Sequence, residues 1–174
     1  MDALKLALPN ESMTEEIRAY KQAMLDAGSS MDGTSSLRRL DVPEWLAQFA
    51  LMSDEKTVPE GMVQASQFVC IRESDGRIVG MIDVRHRLND YLREYGGHIG
   101  YSVRPDERRK GYASRMLALA LAYCRQLGLD RVMISCLADN EGSRRTILRN
   151  GGVYDSTVHE PKEDVQLERY WIDL

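Results

Sequence analysis

Arg108, Arg109 and Lys110 stand in a row directly before Gly111, with Arg115 shortly after. Beyond them Ala113, Met116, Leu117, Ala120, Leu121 and Cys124 recur at the three-and-four spacing that lines one helix face. Before them Ile99 to Val103 form a short apolar run of strand type. A cationic, glycine-bearing loop therefore sits at the head of a predicted helix. Such a helix end presents unpaired N–H groups and the positive pole of the macrodipole, where further cations are disfavoured unless something negative lies among them. An anion site follows, most simply for phosphate. Gly111 has no Cβ, so a pyrophosphate could approach the backbone closely, and Ala113 keeps the next inward position small. The plainer alternative is a solvated basic surface.

The elements around this loop read as a strand, helix, strand unit. Gly128 suits the position just past the helix end, and Val132 to Ile134 supply the next buried run, as a parallel strand after a crossover helix would. Upstream, Phe68 to Ile71 and Ile78 to Val84 are β-rich runs joined by a Ser74-Asp75-Gly76 turn, and with the run at Ile99 they make an antiparallel meander. Leu4 to Leu8 alternates as a first strand. Ser12 with Glu15 suggests a capping box for a helix through Met13, Ile17, Tyr20, Met24 and Ala27, stopped by Gly28. Asp41, Pro43 and Glu44 open a second helix carrying Trp45, Leu46 and Phe49. Residues 28–36 and 53–65 read as loops, the first either a substrate lid or a plain mobile connection. The segment from Arg85 to Gly97 mixes charge with Leu88, Tyr91 and Tyr95, so it either walls a pocket or is a solvated loop anchored by aromatic residues. Downstream, Asp139 or Asn140 caps a short helix through Ile147 and Leu148, and Val153 to Val158 with Val165 to Ile172 close as a hairpin.

Composition narrows the class. A chain of 174 residues with 43% hydrophobic and 29% charged content suits one globular domain spanning residues 1–174. The net charge of -4 argues against a general nucleic-acid binder, although a local basic loop still holds one small polyanion. Cys70, Cys124 and Cys136 are odd in number, lie in apolar runs and lack CxxC spacing, so neither a disulfide frame nor a metal site is indicated. No apolar stretch approaches the roughly eighteen residues of a membrane span and nothing near Met1 has signal-peptide form, so a cytoplasmic protein without membrane contact is expected. An NTPase phosphate loop would need Ser or Thr after Gly-Lys, and this loop reads Lys110-Gly111-Tyr112. A dinucleotide module would need Gly-x-Gly-x-x-Gly near the start of a doubly wound chain, whereas this loop follows an antiparallel meander.

The run Arg108-Arg109-Lys110-Gly111-Tyr112-Ala113 resembles the Arg/Gln-x-x-Gly-x-Gly/Ala signature of the GNAT superfamily, the acyl-CoA-dependent N-acetyltransferases. Ile99 to Val103 is similar to the family's central strand and Asn140 to Gly151 to its second cofactor motif. The resemblance covers about residues 66 to 174, and from Arg77 through Ala113 it is closest to a group of bacterial predicted acetyltransferases. It implies an α+β fold: a mixed, mostly antiparallel sheet splayed at the CoA site between the central strand and the strand at Val132, flanked by about four helices. It implies acetyl-CoA as co-substrate, with no metal, and an amine acceptor. Residues 99–103 would offer the backbone of Tyr101, Ser102 and Val103 to the pantetheine and thioester. The amides around Arg108, Arg109, Lys110, Gly111, Tyr112, Ala113 and Ser114 would cradle the pyrophosphate, and Asn140 with Ser143 would meet the pantetheine arm.

Amide-forming acyl transfer from a thioester needs a deprotonated, positioned amine and a donor for the developing oxyanion, but no covalent enzyme intermediate. Cys136 accordingly reads as a core thiol rather than a nucleophile. Many family members carry a tyrosine as general acid where this chain has Ile147, which leaves Tyr101 and Tyr154 as candidates by position. Where many carry a glutamate at the start of the central strand, this chain has His98, whose ordinary pKa of about 6.5 suits a base, with His86 as second choice. The missing tyrosine also admits a non-catalytic acyl-CoA-binding sensor or partner module. The acceptor-side segments carry both signs of charge, including Asp83, Arg85, Asp90, Arg93 and Glu94, so polyamine, amino acid, antibiotic and protein N-terminus all remain open. A homodimer is a further option, through the edge of a C-terminal strand at Glu168 to Asp173.

Overall fold

The computed structural model describes residues 2–174, and they fold into two antiparallel sheets with helices on both sides of the first. Strands β1 (Leu4–Ala7), β2 (Ala65–Arg72), β3 (Ile78–Arg85) and β4 (Ile99–Val103) form one sheet in that order. Alternation along β2 assigns its faces. Phe68 and Cys70 join Ile82 and Val84 of β3 beneath Met116, Leu117, Ala120 and Leu121 of α3 (Tyr112–Gln126). Val69, Ile71 and Met81 point the other way, onto Ile17, Tyr20 and Met24 of α1 (Thr14–Asp26) and Val42 and Trp45 of α2 (Val42–Met52). Period-two strands carrying apolar residues on both faces thus demand cover on both sides, and the helices supply it.

The second sheet runs β5 (Arg131–Leu137), β7 (Val165–Asp173), β6 (Val153–Glu160), with α4 (Glu141–Arg149) between β5 and β6 in sequence. The strand after the crossover helix forms no ladder with β4. They meet only at the base, where His98 N–H donates to Met133 O at 2.7 Å and an isolated bridge joins Gly97 to Ile134. The expected parallel step is therefore a split between two sheets, each wholly antiparallel, and that split is the splay implied by the family resemblance. The C-terminal strand β7 is central rather than an edge, since it pairs with both β5 and β6. β6 holds the free edge. In β7, residues 168–171 are paired on both sides and only Ile172 and Asp173 lack a β6 partner, so the long pairing edge expected over Glu168 to Asp173 is absent.

Several local signals behave as read. Asp41 caps α2 by accepting the Glu44 N–H at 3.0 Å, and Gly128 closes α3 at φ 80°. The capping box does not form: Asn10 accepts the Ser12 N–H at 3.0 Å over a short 3-10 turn, and α1 starts only at Thr14. Residues 28–36 pack against the first sheet and α2. Gly33 lies so close to β4 that an added Cβ would stand 2.3 Å from Gly100 O, while Gly33 O accepts the Gln67 side-chain N–H at 2.7 Å and Thr34 O accepts the Trp45 Nε1–H at 2.8 Å. Within residues 85–97 a π-helical turn, Leu92–Gly96, interrupts the expected loop. No helix among the described residues is long and apolar enough to cross a membrane.

Candidate active site

The chain from β4 into α3 is a 3-10 turn, Pro105–Glu107, followed by two left-handed residues, Arg109 at φ 65° and Gly111 at φ 80°. A left-handed arginine is a strained choice, and here it turns the backbone so that successive N–H groups face outward. Among the described residues the amides from Arg109 to Ser114 have no protein hydrogen-bond partner. A Cβ built on Gly111 would meet nothing within 4 Å, so the space over the loop is open.

The cations beside these amides are mostly engaged. Arg108 Nε donates to Val103 O at 3.0 Å and its terminal nitrogen to Ser29 Oγ at 2.6 Å, which ties the loop to β4 and to residues 28–36. Lys110 Nζ donates to Glu107 at 2.7 Å, and that same buried carboxylate takes Arg72 at 2.9 Å and Arg77 at 2.7 Å. Burial works against the charge of Glu107, but Lys110 and Arg72 outweigh it and hold its carboxyl below the ordinary range. Tyr112 is a core residue whose hydroxyl donates to Asp2 at 2.7 Å. Ser114 Oγ and O accept from Asn150 Nδ2 at 3.1 Å, binding the heads of α3 and the tail of α4 together. The basic run thus braces the loop, and the anion-binding capacity rests in the main chain.

The split lies alongside. β4 bonds to β3 through its even-numbered residues, as Arg85 N–H to His98 O (2.7 Å) and Arg104 N–H to Val79 O (2.9 Å) show. By alternation Tyr101 and Val103 turn their main-chain groups away from β3 and into the gap before β5. The side chain of Ser102 goes to the opposite face, where its Oγ donates to Asp32 O at 2.7 Å and shares a 2.8 Å hydrogen bond with Tyr20. The Tyr101 ring reaches across to α4, with its hydroxyl 2.7 Å from Ser143 Oγ, and burial raises its pKa. Asn140 caps α4 by accepting the Ser143 N–H at 3.0 Å. Ile147 is fully buried in the core, so no hydroxyl stands at that place.

The two histidines sit differently from the sequence expectation. His98 Nδ1 accepts the Met133 N–H at 2.9 Å, so this one side chain, together with its own N–H, staples β4 to β5. A neutral imidazole has one acceptor nitrogen, and here it is taken; Nε2 must carry the ring proton. Burial, with help from Arg85 and Arg93, lowers the His98 pKa to about 4. Neither fact suits a base that takes a proton from an amine. His86 lies on the α3 side of the sheet, 2.7 Å from Ser66 Oγ, which in turn is 2.8 Å from Tyr123 OH, and burial lowers its pKa too. Its residue parity places it opposite the pocket described next. Cys136 is buried with its thiol pushed up to about 11 by desolvation, then by Glu168, as a core thiol should be.

On the α1 and α2 side of the first sheet lies a cavity of about 410 Å³, and its lining includes Trp45, Gln48 and Phe49 of α2, Gln67, Asp83 and Arg85 of the sheet, Asn89 and Tyr91, and Lys162 of the β6–β7 turn. The segment after Arg85 therefore does wall a pocket. Asp83 connects it with the split, since its Oδ1 accepts the Gly100 N–H at 3.1 Å, one residue before Tyr101. The sequence singled out Asp83 and Arg85 only as charges on the acceptor side; two apart on β3, they share one face and pair at 3.2 Å, and what no local signal carries is the cavity that α2 and the β6–β7 turn close over them.

A row of free amides, an open split and an adjoining pocket thus make up the candidate site. Residues 35–151 match the acetyltransferase (GNAT) family, and the chain belongs to that family, whose co-substrate is acetyl-CoA. The microcin C7 self-immunity acetyltransferase MccE, solved with acetyl-CoA and AMP, has the same fold at a TM-score of 0.73 and 18% identity, over 100% of this chain and 94% of that one. The ribosomal-protein-S5-alanine acetyltransferase of Vibrio fischeri gives 0.70 at 16% identity, over 99% and 94%. RimJ of Mycobacterium smegmatis, in complex with CoA-disulfide, gives 0.71 at 17% identity, over 98% and 81%. No curated protein sequence is significantly similar.

Proposed function

We propose that this chain is an N-acetyltransferase that moves the acetyl group of acetyl-CoA to a primary amine by direct attack in a ternary complex. The observation that carries the reading is the run of unpartnered amides from Arg109 to Ser114 at the head of α3, beside a split edged by the Tyr101 and Val103 main chain. Those amides and the helix pole bind the pyrophosphate. The pantetheine then pairs with Tyr101 and Val103, flanked by Asn140 and Ser143, while Ser102, expected from sequence to meet the cofactor, turns to the opposite face. In the chemical step the amine nitrogen bonds to the thioester carbon, the C–S bond breaks, CoA departs as thiolate, and the amine nitrogen loses a proton. An N–H at the split stabilises the oxyanion, and closeness of the two reactants supplies much of the rate.

Protons are handled by hydroxyls and solvent in this reading. Tyr101, coupled to Ser143, is the proton source nearest the departing sulfur, and the Asp83 carboxylate or a water beside it receives the amine proton. His98 holds the split at its base. The buried free thiols Cys70, Cys124 and Cys136 support a reducing compartment such as the cytoplasm. The test is thiol release from acetyl-CoA across a panel of amines, beside calorimetric binding of CoA. Binding with no turnover on any amine class would favour the sensor module, a reading to which the buried Ile147 in place of a catalytic tyrosine lends weight.

A further inference from the structure

The pocket beside the split carries an uneven set of charges. Its lining holds two cations, Arg85 and Lys162, and one carboxylate, Asp83. Arg85 is held from below: its Nε lies 3.2 Å from Asp83 Oδ2, and one terminal nitrogen donates to Gly96 O at 3.2 Å and to Gly97 O at 3.4 Å. Its other terminal nitrogen makes no protein hydrogen bond among the described residues. Lys162 lies 4.7 Å above the Tyr91 ring and forms no ion pair among those residues. Glu160, two places before it, commits both oxygens to turn amides, accepting from Lys162 N at 3.1 Å and Glu163 N at 2.7 Å. Gln48 Oε1 is buried in the same lining with no partner. Ser35, Gln67 and Asn89 add neutral polar groups, and Trp45, Phe49, Met52 and Met62 form an apolar and aromatic wall.

We infer that the acceptor is a small amine carrying its own carboxylate and an apolar or aromatic side chain, an amino acid or close analogue. The free guanidinium nitrogen of Arg85 and the Lys162 ammonium receive the carboxylate, Gln48 and Asp83 receive the amino group, and the apolar wall takes the side chain. A polyamine would bring a second and third positive charge beside Arg85 and Lys162 with one carboxylate to meet them, and the half-buried Arg85 and the exposed Lys162 repel it. A peptide N-terminus would leave both cations facing a neutral amide.

This inference rests on the acetyl-transfer reading, and the experiment separates the two. Initial rates of thiol release are measured with acetyl-CoA and matched acceptors: methionine and phenylalanine, their carboxamides, phenethylamine, a short peptide and spermidine. In parallel, calorimetry on the CoA-saturated protein measures binding of the same compounds. The free amino acids should exceed their carboxamides by about tenfold or more in kcat/KM, the usual weight of a charge-assisted contact, with spermidine lowest. Arg85→Gln should bring that ratio close to one. Because Arg85 also braces Asp83 and the Gly96–Gly97 carbonyls, Lys162→Gln at the exposed rim provides a variant that leaves the fold intact, and it should shrink the ratio severalfold. Carboxamides, peptide or spermidine equal to the amino acids in rate would overturn the inference while leaving acetyl transfer standing. Amino acids that bind without any turnover would support the pocket assignment and sink the enzyme reading. No preferential binding of the carboxylate-bearing compounds would overturn the assignment outright.

Discussion

The loop at the head of α3, the proposed donor side, and the pocket beside the split, the proposed acceptor side, are built from different material. At the head of α3 the ligand would meet main-chain N–H groups, and the side chains around them brace the loop rather than reach outward. In the pocket the groups on offer are side chains from α2, strands β2 and β3, a π-helical segment and a distant turn. A main-chain site tolerates nearly any side chain but depends on backbone angles. A side-chain site depends on identity at each place and on the packing that brings distant segments together. Substitutions should therefore hit the two sides in opposite ways.

The sharpest break should come from Gly33→Ala, on the acceptor side. A methyl there would stand 2.3 Å from Gly100 O at φ 74°, and about 3–4 kcal/mol of stability should be lost, read by denaturant unfolding. An unchanged midpoint would mean that residues 28–36 do not pack on β4 as described. Next, Gly111→Val should lower CoA affinity by roughly a hundredfold in calorimetry, since it both strains a φ of 80° and fills the space over the amides. Intact binding in that variant would remove the donor half of the comparison.

His98→Ala should be felt as lost stability of about 2 kcal/mol, because Met133 N–H loses its acceptor inside the protein. The rate-against-pH profile of the surviving activity should keep its shape; disappearance of an imidazole-range limb would restore His98 as the base. The native protein adds a pH signature. The His98 pKa is depressed to about 4 in the folded chain, so the unfolded chain binds more protons between that value and about 6.5. The stabilisation is fully present above about pH 6.5 and drains away as pH falls towards 4, and the pH dependence of unfolding in this window should flatten in His98→Ala. The smallest effect belongs to Arg108→Ala, a less than tenfold weakening of CoA, because this side chain caps Val103 O and Ser29 while the amides do the binding.

The same contrast explains what was legible beforehand. Gly111, Gly128, Asp41 and the amphipathic face of α3 announce themselves within a few residues, since turns, caps and helix faces are short-range physics. The strand, loop, helix unit and the expectation of an anion loop came from them, and the motif resemblance supplied the fold class and the family. What stayed hidden was every feature made by chain segments far apart: Gly33 on Gly100, Gln48 and Lys162 in one cavity with Arg85, Tyr101 on Ser143, His98 on Met133. His98 had the right chemistry for a base and the wrong surroundings. Its Nδ1 partner comes from a strand that the sequence could place beside β4 but not in register with it. The basic run was likewise legible as charge, but its consumption by Glu107, Val103 and Ser29 was not.

The position of β7 between β5 and β6 has a consequence for how the molecule comes into being. Everything in the first sheet, together with α1, α2 and α3, has left the ribosome before β7 is made; the core under α1 and α2 draws only on these elements and the segments between them, whereas the core under α3 still lacks Tyr170 and Ile172 of β7. β5 emerges next and finds no neighbour along its length, since β4 touches it only at the base. Its apolar face must wait as an open edge until β7 arrives and zips to β5 and β6 at once, a long-range step of the slow kind. The second wall of the cleft is thus the last part to form. A cell that supplies acetyl-CoA while the chain is being made would draw this final zipping forward, because the ligand has no complete site until it happens.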